Sequence, residues 1–234
     1  MGSCELIGAD RHRQILGFVG GTGPQGQGLA LRFAHAGYPV LIGSRSADKA
    51  KDVVRSLAVD GLDMHGMANI DACAQAEVVF VTVPYAAQRD TLAGLAGVIA
   101  DKIVVNCVNA LEFDERGPVP GHVPAGSAAE ECAQLLPLAR VVSAFHGVSA
   151  RRLLRVGEPI TVDVLICGDD EDAKQVVARL AAEIPGMWGV DCGPLRLSGP
   201  IEHITPVLLS INRRYKLNAG IRIAGLARGE CPRE

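Results

Sequence analysis

The sequence predicts an α/β fold in which a doubly wound, mainly parallel sheet is followed by a small C-terminal α+β domain. Short aliphatic segments alternate with segments of helical periodicity, which is the pattern of βαβ units. The chain has 234 residues, a length that suits one large domain or one domain with an appendage. Glycine accounts for 27 residues and aromatic residues for only 4%, a composition typical of compact α/β domains with functional glycine turns.

The predicted strands are short apolar runs that end in turn residues. They span residues 15–20, 39–43, 77–83, 102–106, 140–144, 162–167 and 187–191. The predicted helices have apolar residues three or four positions apart, and they span residues 25–36, 47–57, 86–99, 128–135, 170–183 and 201–216. Ser127 and Glu130 predict a capping box for the fourth helix. Residues 112–126 are rich in glycine and proline, so we expect a long functional or covering loop there.

A glycine-rich turn follows the first strand and opens the first helix, with the pattern Gly-x-Gly-x-x-Gly. The first glycine permits a tight turn, the second lets a pyrophosphate approach the backbone, and the third allows close helix–strand packing. Free N–H groups and the helix dipole then bind the phosphates. The turn therefore predicts a Rossmann-like dinucleotide-binding domain, with a purely structural glycine turn as the alternative. The predicted cofactor-binding residues of the turn are Gly21, Thr22, Gly23, Pro24, Gln25 and Gly26.

The end of the second strand predicts which dinucleotide binds. NAD-binding folds usually carry Asp or Glu about 20 residues after the turn, where it binds the ribose 2′-hydroxyl. This chain instead has Ser44 and Arg45, with Lys49 one helical turn further on. A hydroxyl and two cations suit a 2′-phosphate, which favours NADP. In the alternative, Arg45 and Lys49 belong to a solvated helix start and pair with Asp48 or Asp52.

Nine motifs extend this pattern through the chain, at residues 20–26, 43–45 with Lys49, 82–85, 126–130, 144–146, 167–170, 191–194, 212–216 and 219–223. In this order they resemble the NADPH-dependent reductases of coenzyme F-420, an 8-hydroxy-5-deazaflavin. The resemblance covers nearly all of residues 15–226. It implies an oxidoreductase that transfers a hydride reversibly between NADP(H) and the deazaflavin.

The resemblance also implies roles for individual residues. Thr22 joins Ser44, Arg45 and Lys49 at the 2′-phosphate. His146 lies at the deazaflavin ring, with Val148 two residues on. His146 is the candidate catalytic residue, because a near-neutral pKa would let it donate or exchange a proton with a developing anionic ring. The alternative is a packed histidine that closes a strand.

Further cofactor contacts are predicted beyond the ends of two strands, where ligands of open α/β sheets bind. Val83 ends the third predicted strand and Tyr85 follows it, and Asn109 follows the fourth. Tyr85 is expected either to stack near the nicotinamide or to pack at the rim of the site.

Coenzyme F-420 carries a phosphate and glutamate tail, so its binding site should have a positive mouth. The candidate cations are Arg151, Arg152, Arg155, Arg213, Arg214 and Lys216. Solvated surface charge is the alternative, since cations are favoured at helix C-termini in any case.

Asp169 and Asp170 are interpreted as capping residues of the following helix, and no metal site is predicted.

Charge, hydropathy and cysteine usage limit the partners. The net charge of −3 lacks the basic field of a nucleic-acid binder. No apolar run reaches the roughly 18 residues of a membrane span. The seven cysteines are dispersed without Cys-x-x-Cys spacing, which favours reduced thiols in the cytoplasm.

Three parts are predicted along the chain. Residues 1–14 form a flexible N-terminal arm, residues 15–145 the NADP-binding domain, and residues 146–234 a small C-terminal domain for deazaflavin binding and dimerisation. The family resemblance implies a homodimer, with residues 206–211 as core or as dimer seam.

Two other functions stay open at this point. One is an NADPH-dependent reductase of another acceptor, such as a flavin, a ferric chelate or an imine, and the other is a non-catalytic NADP sensor.

Overall fold

The computed structural model describes residues 13–57 and 61–226. Most of the predicted N-terminal arm, residues 1–12, lies outside these described residues. The strands are β1 Leu16–Val19, β2 Val40–Ser44, β3 Met64–Ala68, β4 Val78–Val81, β5 Ile103–Asn106, β6 Leu111–Asp114, β7 Gly117–Pro120, β8 Arg140–Ser143, β9 Val162–Gly168 and β10 Met187–Asp191. The helices are α1 Pro24–His35, α2 Ala47–Leu57, α3 Asn69–Gln75, α4 Tyr85–Ala93, α5 Ala96–Ile99, α6 Ala128–Leu135, α7 Ala150–Leu153, α8 Glu171–Ala182, α9 Ser198–Glu202 and α10 Ile204–Tyr215.

Eight of these strands form one sheet in the order β10-β9-β8-β5-β4-β1-β2-β3. The neighbours pair in parallel except β8 and β9, which are antiparallel. This confirms the predicted α/β fold with a mainly parallel sheet. The strand order reverses between β4 and β2 around β1, so the carboxyl ends of β1, β4 and β5 border the switch point at which such sheets bind ligands.

The C-terminal part of the chain extends the same sheet. Strands β9 and β10 lie after residue 146, and they join the sheet through the pairing of Ser143 with Cys167. The sheet therefore crosses the predicted domain boundary, and the division into two domains stays a prediction.

An aromatic cluster lies under the switch point. The rings of Phe18 and Phe80 stack with centroids 4.7 Å apart, and Phe33 meets the edge of Phe145 at 6.4 Å. All four side chains are fully buried. Phe18 lies on β1, and Phe145 directly precedes His146, so one packed core supports both the glycine turn and the predicted catalytic residue.

Several elements differ from the sequence prediction. β3 and α3 were not predicted, because the run Met-His-Gly-Met-Ala at residues 64–68 has no β-branched residue. β3 forms by pairing with β2, since tertiary context outweighs strand propensity. The predicted loop 112–126 contains a hairpin of β6 and β7. The predicted helix 86–99 is split into α4 and α5 around Gly94, and the predicted helix 201–216 begins earlier, as α9, and bends at His203.

Among the helices within the described ranges, none has both the length and the apolar character that crossing a bilayer requires.

Candidate functional site

The glycine turn connects β1 to α1 with little space for side chains. Gly20 has a φ of +71°, and a Cβ atom there would lie 2.5 Å from Cγ1 of Val83. The N–H of Gly21 donates to the carbonyls of Phe18 (3.1 Å) and Gly43 (3.0 Å). These bonds tie the turn to the ends of β1 and β2, which fixes its path across the sheet edge.

The three glycines of the motif differ in what surrounds them. A Cβ atom at Gly21 would lie 2.8 Å from Phe18 Cβ, and one at Gly26 would lie 2.7 Å from the Cα atom of Gly21. A Cβ atom at Gly23 would meet nothing closer than the carbonyl of Gly20, at 3.6 Å. Protein packing therefore requires the first and third glycines. It leaves the space at Gly23 open to an approaching ligand.

Asn69 supports the glycine turn through a hydrogen bond, a role that the sequence did not predict. Its Oδ1 atom accepts a hydrogen bond from the N–H of Gly20 at 3.2 Å. A Cβ atom at Gly43 would lie 2.8 Å from the same oxygen. Asn69 begins α3, and because β3 and α3 were not predicted, no sequence signal placed it here.

The predicted 2′-phosphate residues lie where β2 leads into α2. Ser44 is buried and its Oγ atom accepts from the N–H of Ser46 at 3.3 Å. Arg45 and Lys49 are exposed. Neither cation makes an ion pair within the described part of the chain.

The two neighbouring acids are paired elsewhere. Asp48 contacts Lys51 at 3.4 Å, and Asp52 pairs with Arg55. The alternative in which Asp48 or Asp52 neutralises Arg45 and Lys49 is therefore not observed. Cations at a helix start oppose the helix dipole, so an anion beside them would be stabilised.

A cavity of about 730 Å³ opens next to the turn, at the carboxyl ends of β5 and β8. Four predicted residues line it: Gln25, Asn109, His146 and Val148. The opposite wall comes from α10 and the segment that follows it, with Leu208 and Asn212 among its residues. The residues that line the cavity come from distant parts of the chain, since Gln25 and Ala219 are 194 positions apart in the sequence.

Val83 and Tyr85 are not part of this lining. Val83 lies against Gly20 in the turn, while Tyr85 begins α4 and packs against the apolar cluster beneath α4 and α6. Burial raises the pKa of Tyr85, and the nearby carboxylate of Glu131 adds to this shift. The environment of Tyr85 resembles the rim packing considered as the alternative.

His146 is held at the base of the cavity. Its Nε2 atom lies 2.8 Å from the Oγ atom of Ser143, and only 5% of the residue is exposed. Phe145 has a φ of +65°, a rare conformation for a residue with a large side chain. This backbone conformation turns the chain sharply at the end of β8, just before His146.

The expected near-neutral pKa of His146 is wrong. Burial disfavours the imidazolium ion and lowers the pKa of His146 to about 4, although the backbone of Val108 acts weakly in the opposite direction. His146 is therefore neutral at physiological pH. Its Nδ1 atom is buried and makes no hydrogen bond of ordinary geometry to the described residues, although a backbone hydrogen bond to Val108 contributes to the pKa of the ring.

Hydrogen bonds join the elements around His146. The Nδ2 atom of Asn109 donates to the carbonyl of His146 at 3.3 Å. The hydroxyl of Thr205 on α10 lies within bonding distance of Asn109 Oδ1 (2.9 Å) and of the same carbonyl (3.3 Å). The Nε2 atom of Gln25 donates to the carbonyl of Phe145 at 3.3 Å. These contacts connect the glycine turn, the end of β8 and α10.

Arg32 fixes the adjoining wall, and sequence reasoning also missed it. The residue is 4% exposed, and its guanidinium donates to the carbonyls of Leu153, Arg152 and Glu158 at 2.8–2.9 Å and to that of Arg155. Burial lowers its pKa. Arg32 lies on α1, so the helix that follows the glycine turn also anchors α7 beside the cavity.

No group of three or more potential metal ligands occurs within residues 13–57 and 61–226. Asp170 caps α8 by accepting from the N–H of Ala173 at 2.7 Å, and Asp169 accepts from the N–H of Leu195 at 3.0 Å. The interpretation of Asp170 as a capping residue is confirmed. The carboxylate of Asp169 instead binds the first N–H of a 3-10 helix, Leu195–Leu197.

Comparison with known proteins identifies the family. A sequence model described as "NADP oxidoreductase coenzyme F420-dependent" matches residues 15–110. The F420-dependent NADP reductase of Methanothermobacter thermautotrophicus is 42% identical over 221 residues, which cover 91% of this chain and 95% of the relative. The chain belongs to the F420-dependent NADP reductase family.

Other members of the F420-dependent NADP reductase family agree in sequence and fold. The F420-dependent NADP reductase of Methanocaldococcus jannaschii is 38% identical over 90% of this chain and 98% of the relative. A crystal structure of an Arthrobacter sp. FB24 protein assigned to the F420-dependent NADP reductases superposes with a TM-score of 0.80 at 25% identity. It covers 90% of this chain and 99% of its own. The family resemblance and the Rossmann-like fold are confirmed.

In the structure of this protein, some of the candidate cations border the cavity and others do not. Arg151, Arg213 and Lys216 are among the lining residues. Arg152 donates to the carbonyl of Pro159 at 2.7 Å. Arg155 and Arg214 are exposed and lie outside the cavity lining. Three of the six candidate cations therefore border the cavity.

Proposed function

We propose that the protein catalyses reversible hydride transfer between NADP(H) and coenzyme F-420. The observation that carries the proposal is the junction of an open glycine turn with a cavity that His146 lines. Gln25 belongs to both, since it follows Gly23 in the turn and lines the cavity. Two flat ligands that bind at these two sites would meet at the switch point of the sheet.

In this proposal NADP(H) binds along the carboxyl ends of β1 and β2. Gly21 to Gly26 bind the pyrophosphate, because no side chain caps α1 and its first N–H groups face the turn. Thr22, Ser44, Arg45 and Lys49 bind the 2′-phosphate. Neither Arg45 nor Lys49 forms an ion pair with the residues that the structure describes, and this supports the assignment.

The nicotinamide ring then lies towards Val83, Tyr85 and Asn109. Asn109 is the best supported of the three, because it lines the cavity and its amide is oriented by Thr205 at 2.9 Å. Val83 supports the ring indirectly through its contact with Gly20. The role of Tyr85 as a nicotinamide contact stays a prediction.

The deazaflavin ring of coenzyme F-420 binds in the cavity beside His146 and Val148. Val148 is 6% exposed and offers an apolar surface for the ring. Arg151, Arg213 and Lys216 bind the anionic tail at the mouth. The two cofactors supply the hydride and its acceptor when bound, while the protein contributes proximity, orientation and a site with little water.

His146 acts in this proposal as a neutral hydrogen-bond donor. Ser143 Oγ has no other hydrogen-bond partner among the described residues, so its hydroxyl is satisfied by donating to Nε2. The ring proton then lies on Nδ1, which can donate to a ring atom of the deazaflavin as negative charge develops there. A neutral donor in a buried site stabilises such charge without first having to be protonated.

We further propose that the protein works as a cytoplasmic homodimer, with residues 146–234 forming the deazaflavin-binding and dimerisation part. The exposed apolar side chains of Val207 and Tyr215 on α10 support a dimer seam on that helix. Sedimentation of the purified protein tests the oligomeric state.

Acceptor specificity with NADPH tests the proposed reaction. NADPH is expected to bleach the visible absorbance of oxidised coenzyme F-420 in the presence of the protein, and NADP⁺ to restore it from the reduced form. Flavins, ferric chelates and cyclic imines serve as parallel acceptors. Turnover of one of these without turnover of coenzyme F-420 would overturn the proposed reaction and favour the other reductase functions. Binding of NADPH without reduction of any acceptor would favour the sensor.

A further inference from the structure

Cys167 and Cys192 lie side by side where β9 and β10 end. Asp191 pairs with Ile166 in the parallel ladder, so Cys192 comes next to Cys167. Backbone hydrogen bonds flank the two residues, from Cys192 N–H to the carbonyl of Ile166 (2.7 Å) and from Gly168 N–H to the carbonyl of Gly193 (3.0 Å). Neighbouring strands lie about 4.8 Å apart, which falls within the roughly 4.4–6.8 Å between Cα atoms that a disulfide needs.

The two side chains are expected to point the same way. Laterally adjacent residues of a sheet point to the same face, and the pairing of Asp191 with Ile166 places Cys192 beside Cys167. The thiol of Cys192 also donates to the carbonyl of Val190 at 3.5 Å. A bond between the two sulfur atoms would therefore not require the strands to separate or to slide.

The two thiols differ in access and acidity. Cys192 is partly exposed, whereas Cys167 is fully buried. The neighbouring thiol of Cys167 lowers the pKa of Cys192, against the opposing effect of burial. The neighbouring thiol of Cys192, together with burial, raises the pKa of Cys167. Cys192 is thus the more accessible and the more acidic of the two thiols, which favours it as the nucleophile.

The other cysteines of the described ranges lack this combination. Cys73, Cys107 and Cys132 are all buried. Burial raises the pKa of Cys73 to about 12 and that of Cys132 to about 12, and it also raises the pKa of Cys107. No neighbouring thiol contributes to these three shifts. They serve as internal controls for reactivity.

We propose that Cys167 and Cys192 are a modification site at which hydrogen peroxide forms an intramolecular disulfide. The Cys192 thiolate attacks one peroxide oxygen, so an S–O bond forms, the O–O bond breaks and hydroxide leaves to take up a proton as water. The Cys167 sulfur then attacks the Cys192 sulfur. The S–S bond forms, the S–O bond breaks, and the departing hydroxide takes the Cys167 proton as a second water. The two thiols lose two electrons, which reduce the peroxide.

The site lies one strand away from the candidate catalytic residue. Cys167 pairs across the sheet with Ser143, and Ser143 contacts His146 at 2.8 Å. The segment after Cys192 leads through the 3-10 helix at residues 195–197 to α9 and α10. The proposed disulfide would therefore cross-link the sheet directly beside the cavity without involving a cavity-lining residue.

The test uses the full chain with Cys4→Ser and Cys231→Ser, which removes the two cysteines outside the described residues. The reduced protein is treated with hydrogen peroxide at neutral pH and measured by intact and peptide mass spectrometry under non-reducing conditions. The expected result is the loss of two hydrogen atoms, a cross-linked peptide pair containing Cys167 and Cys192, and reversal by dithiothreitol.

Variants separate the proposal from general oxidation. Adding Cys73→Ser is expected to leave the cross-link unchanged, while Cys192→Ser abolishes it. Cys192 is partly exposed, so this variant is expected to keep the fold. Cys167→Ala is expected to leave a sulfenic acid on Cys192, which dimedone traps. Full retention of both thiols under peroxide, or cross-linking that persists in Cys192→Ser, would overturn the proposal.

Discussion

The glycine turn and the His146 cavity lie next to each other but are built in opposite ways. The turn is contiguous, and its shape follows from the absence of Cβ atoms at Gly20, Gly21 and Gly26. The cavity is assembled from α1, the ends of β5 and β8, α10 and the segment after it. Its shape depends on hydrogen bonds between distant residues, such as that between Asn109 and Thr205. Local steric constraint defines one half of the site, and long-range polar contacts define the other.

This difference predicts how substitutions act. In the turn, an added methyl group meets backbone or stiff side chains, so the folded state itself is affected. At Gly23 and at the exposed cations, a substitution affects only a ligand. In the cavity, removing a side chain leaves the sheet intact and alters orientation. The five predictions below test this contrast, from the largest expected effect to the smallest.

Gly20→Ala is expected to have the largest effect. The left-handed conformation at φ +71° costs about 1–2 kcal/mol for an alanine. The contact with Val83 at 2.5 Å adds about 1–3 kcal/mol of overpacking. The free energy of unfolding in urea should therefore fall by several kcal/mol. Gly23→Ala is the matched control, with unchanged stability but weaker NADPH binding. Equal stability of the two variants would refute the contrast within the turn.

Arg45→Ala should weaken NADPH binding without weakening NADH binding. A hydrogen bond to a charged group contributes about 1.5–3 kcal/mol, which corresponds to a roughly 10- to 100-fold rise in KM for NADPH. Steady-state rates with both cofactors measure the effect. Lys51→Ala provides the control, because Lys51 is an exposed cation of α2, the helix that follows Arg45, and it pairs with Asp48. Equal losses for NADPH and NADH would rule out a 2′-phosphate contact.

His146→Ala should lower kcat, or the affinity for the deazaflavin, by about 10-fold, while NADPH binding stays intact. The expected size follows from the roughly 1–3 kcal/mol lost when a buried polar group loses its partner. Single-turnover rates and NADPH titration separate the two cofactors. An unchanged rate together with unchanged deazaflavin affinity would reduce His146 to a packing residue.

The rate should show no titration of His146 between about pH 5 and pH 8, because burial holds its pKa near 4. The sign for stability follows from the same shift. The folded pKa is below the ordinary value of 6.5, so His146 contributes stability above pH 6.5 that is lost as the pH falls towards 4. His146→Gln should make this acid-side loss smaller in urea titrations. A step in kcat near pH 6.5 that disappears in His146→Gln would contradict the neutral histidine.

Arg213→Ala should have the smallest effect. Exposed ion pairs contribute about 0.2–1 kcal/mol, so KM for coenzyme F-420 should rise about 1.5- to 5-fold, and less in high salt. Arg214→Ala is the matched control, since Arg214 is adjacent in sequence but does not line the cavity. A comparable rise for Arg214→Ala would indicate a diffuse surface charge and not a defined tail contact.

Some parts of the candidate site could be predicted from the sequence, and others could not. Strong local signals identified the turn, the Ser44–Arg45 strand end and the capping box, in which Ser127 Oγ accepts from the N–H of Glu130 at 3.0 Å. Asn69 was missed because residues 64–75 have weak strand and helix signals. Arg32 was missed because an arginine on an amphipathic helix is ordinarily a surface residue, and only the fold buries it against four carbonyls.

The neutral state of His146 shows what could not be predicted from the sequence. Its position at the end of β8 could be predicted from the motif, but its pKa depends on how completely α10 and the core exclude water. In the same way, the sequence contained six candidate cations, and only the packing of α7 and α10 decided which of them border the cavity. The adjacency of Cys167 and Cys192 likewise follows from strand pairing across 25 positions and from no local pattern.

The amino-acid sequence by itself determined the alternation of strands and helices, the glycine turn and the preference for a 2′-phosphate, because each depends on residues close together in the chain. The tertiary structure alone decided the edge strand β3, the burial of His146 and Arg32, the lining of the cavity and the thiol pair. These depend on desolvation and on contacts between distant segments, and both arise only when the sheet assembles.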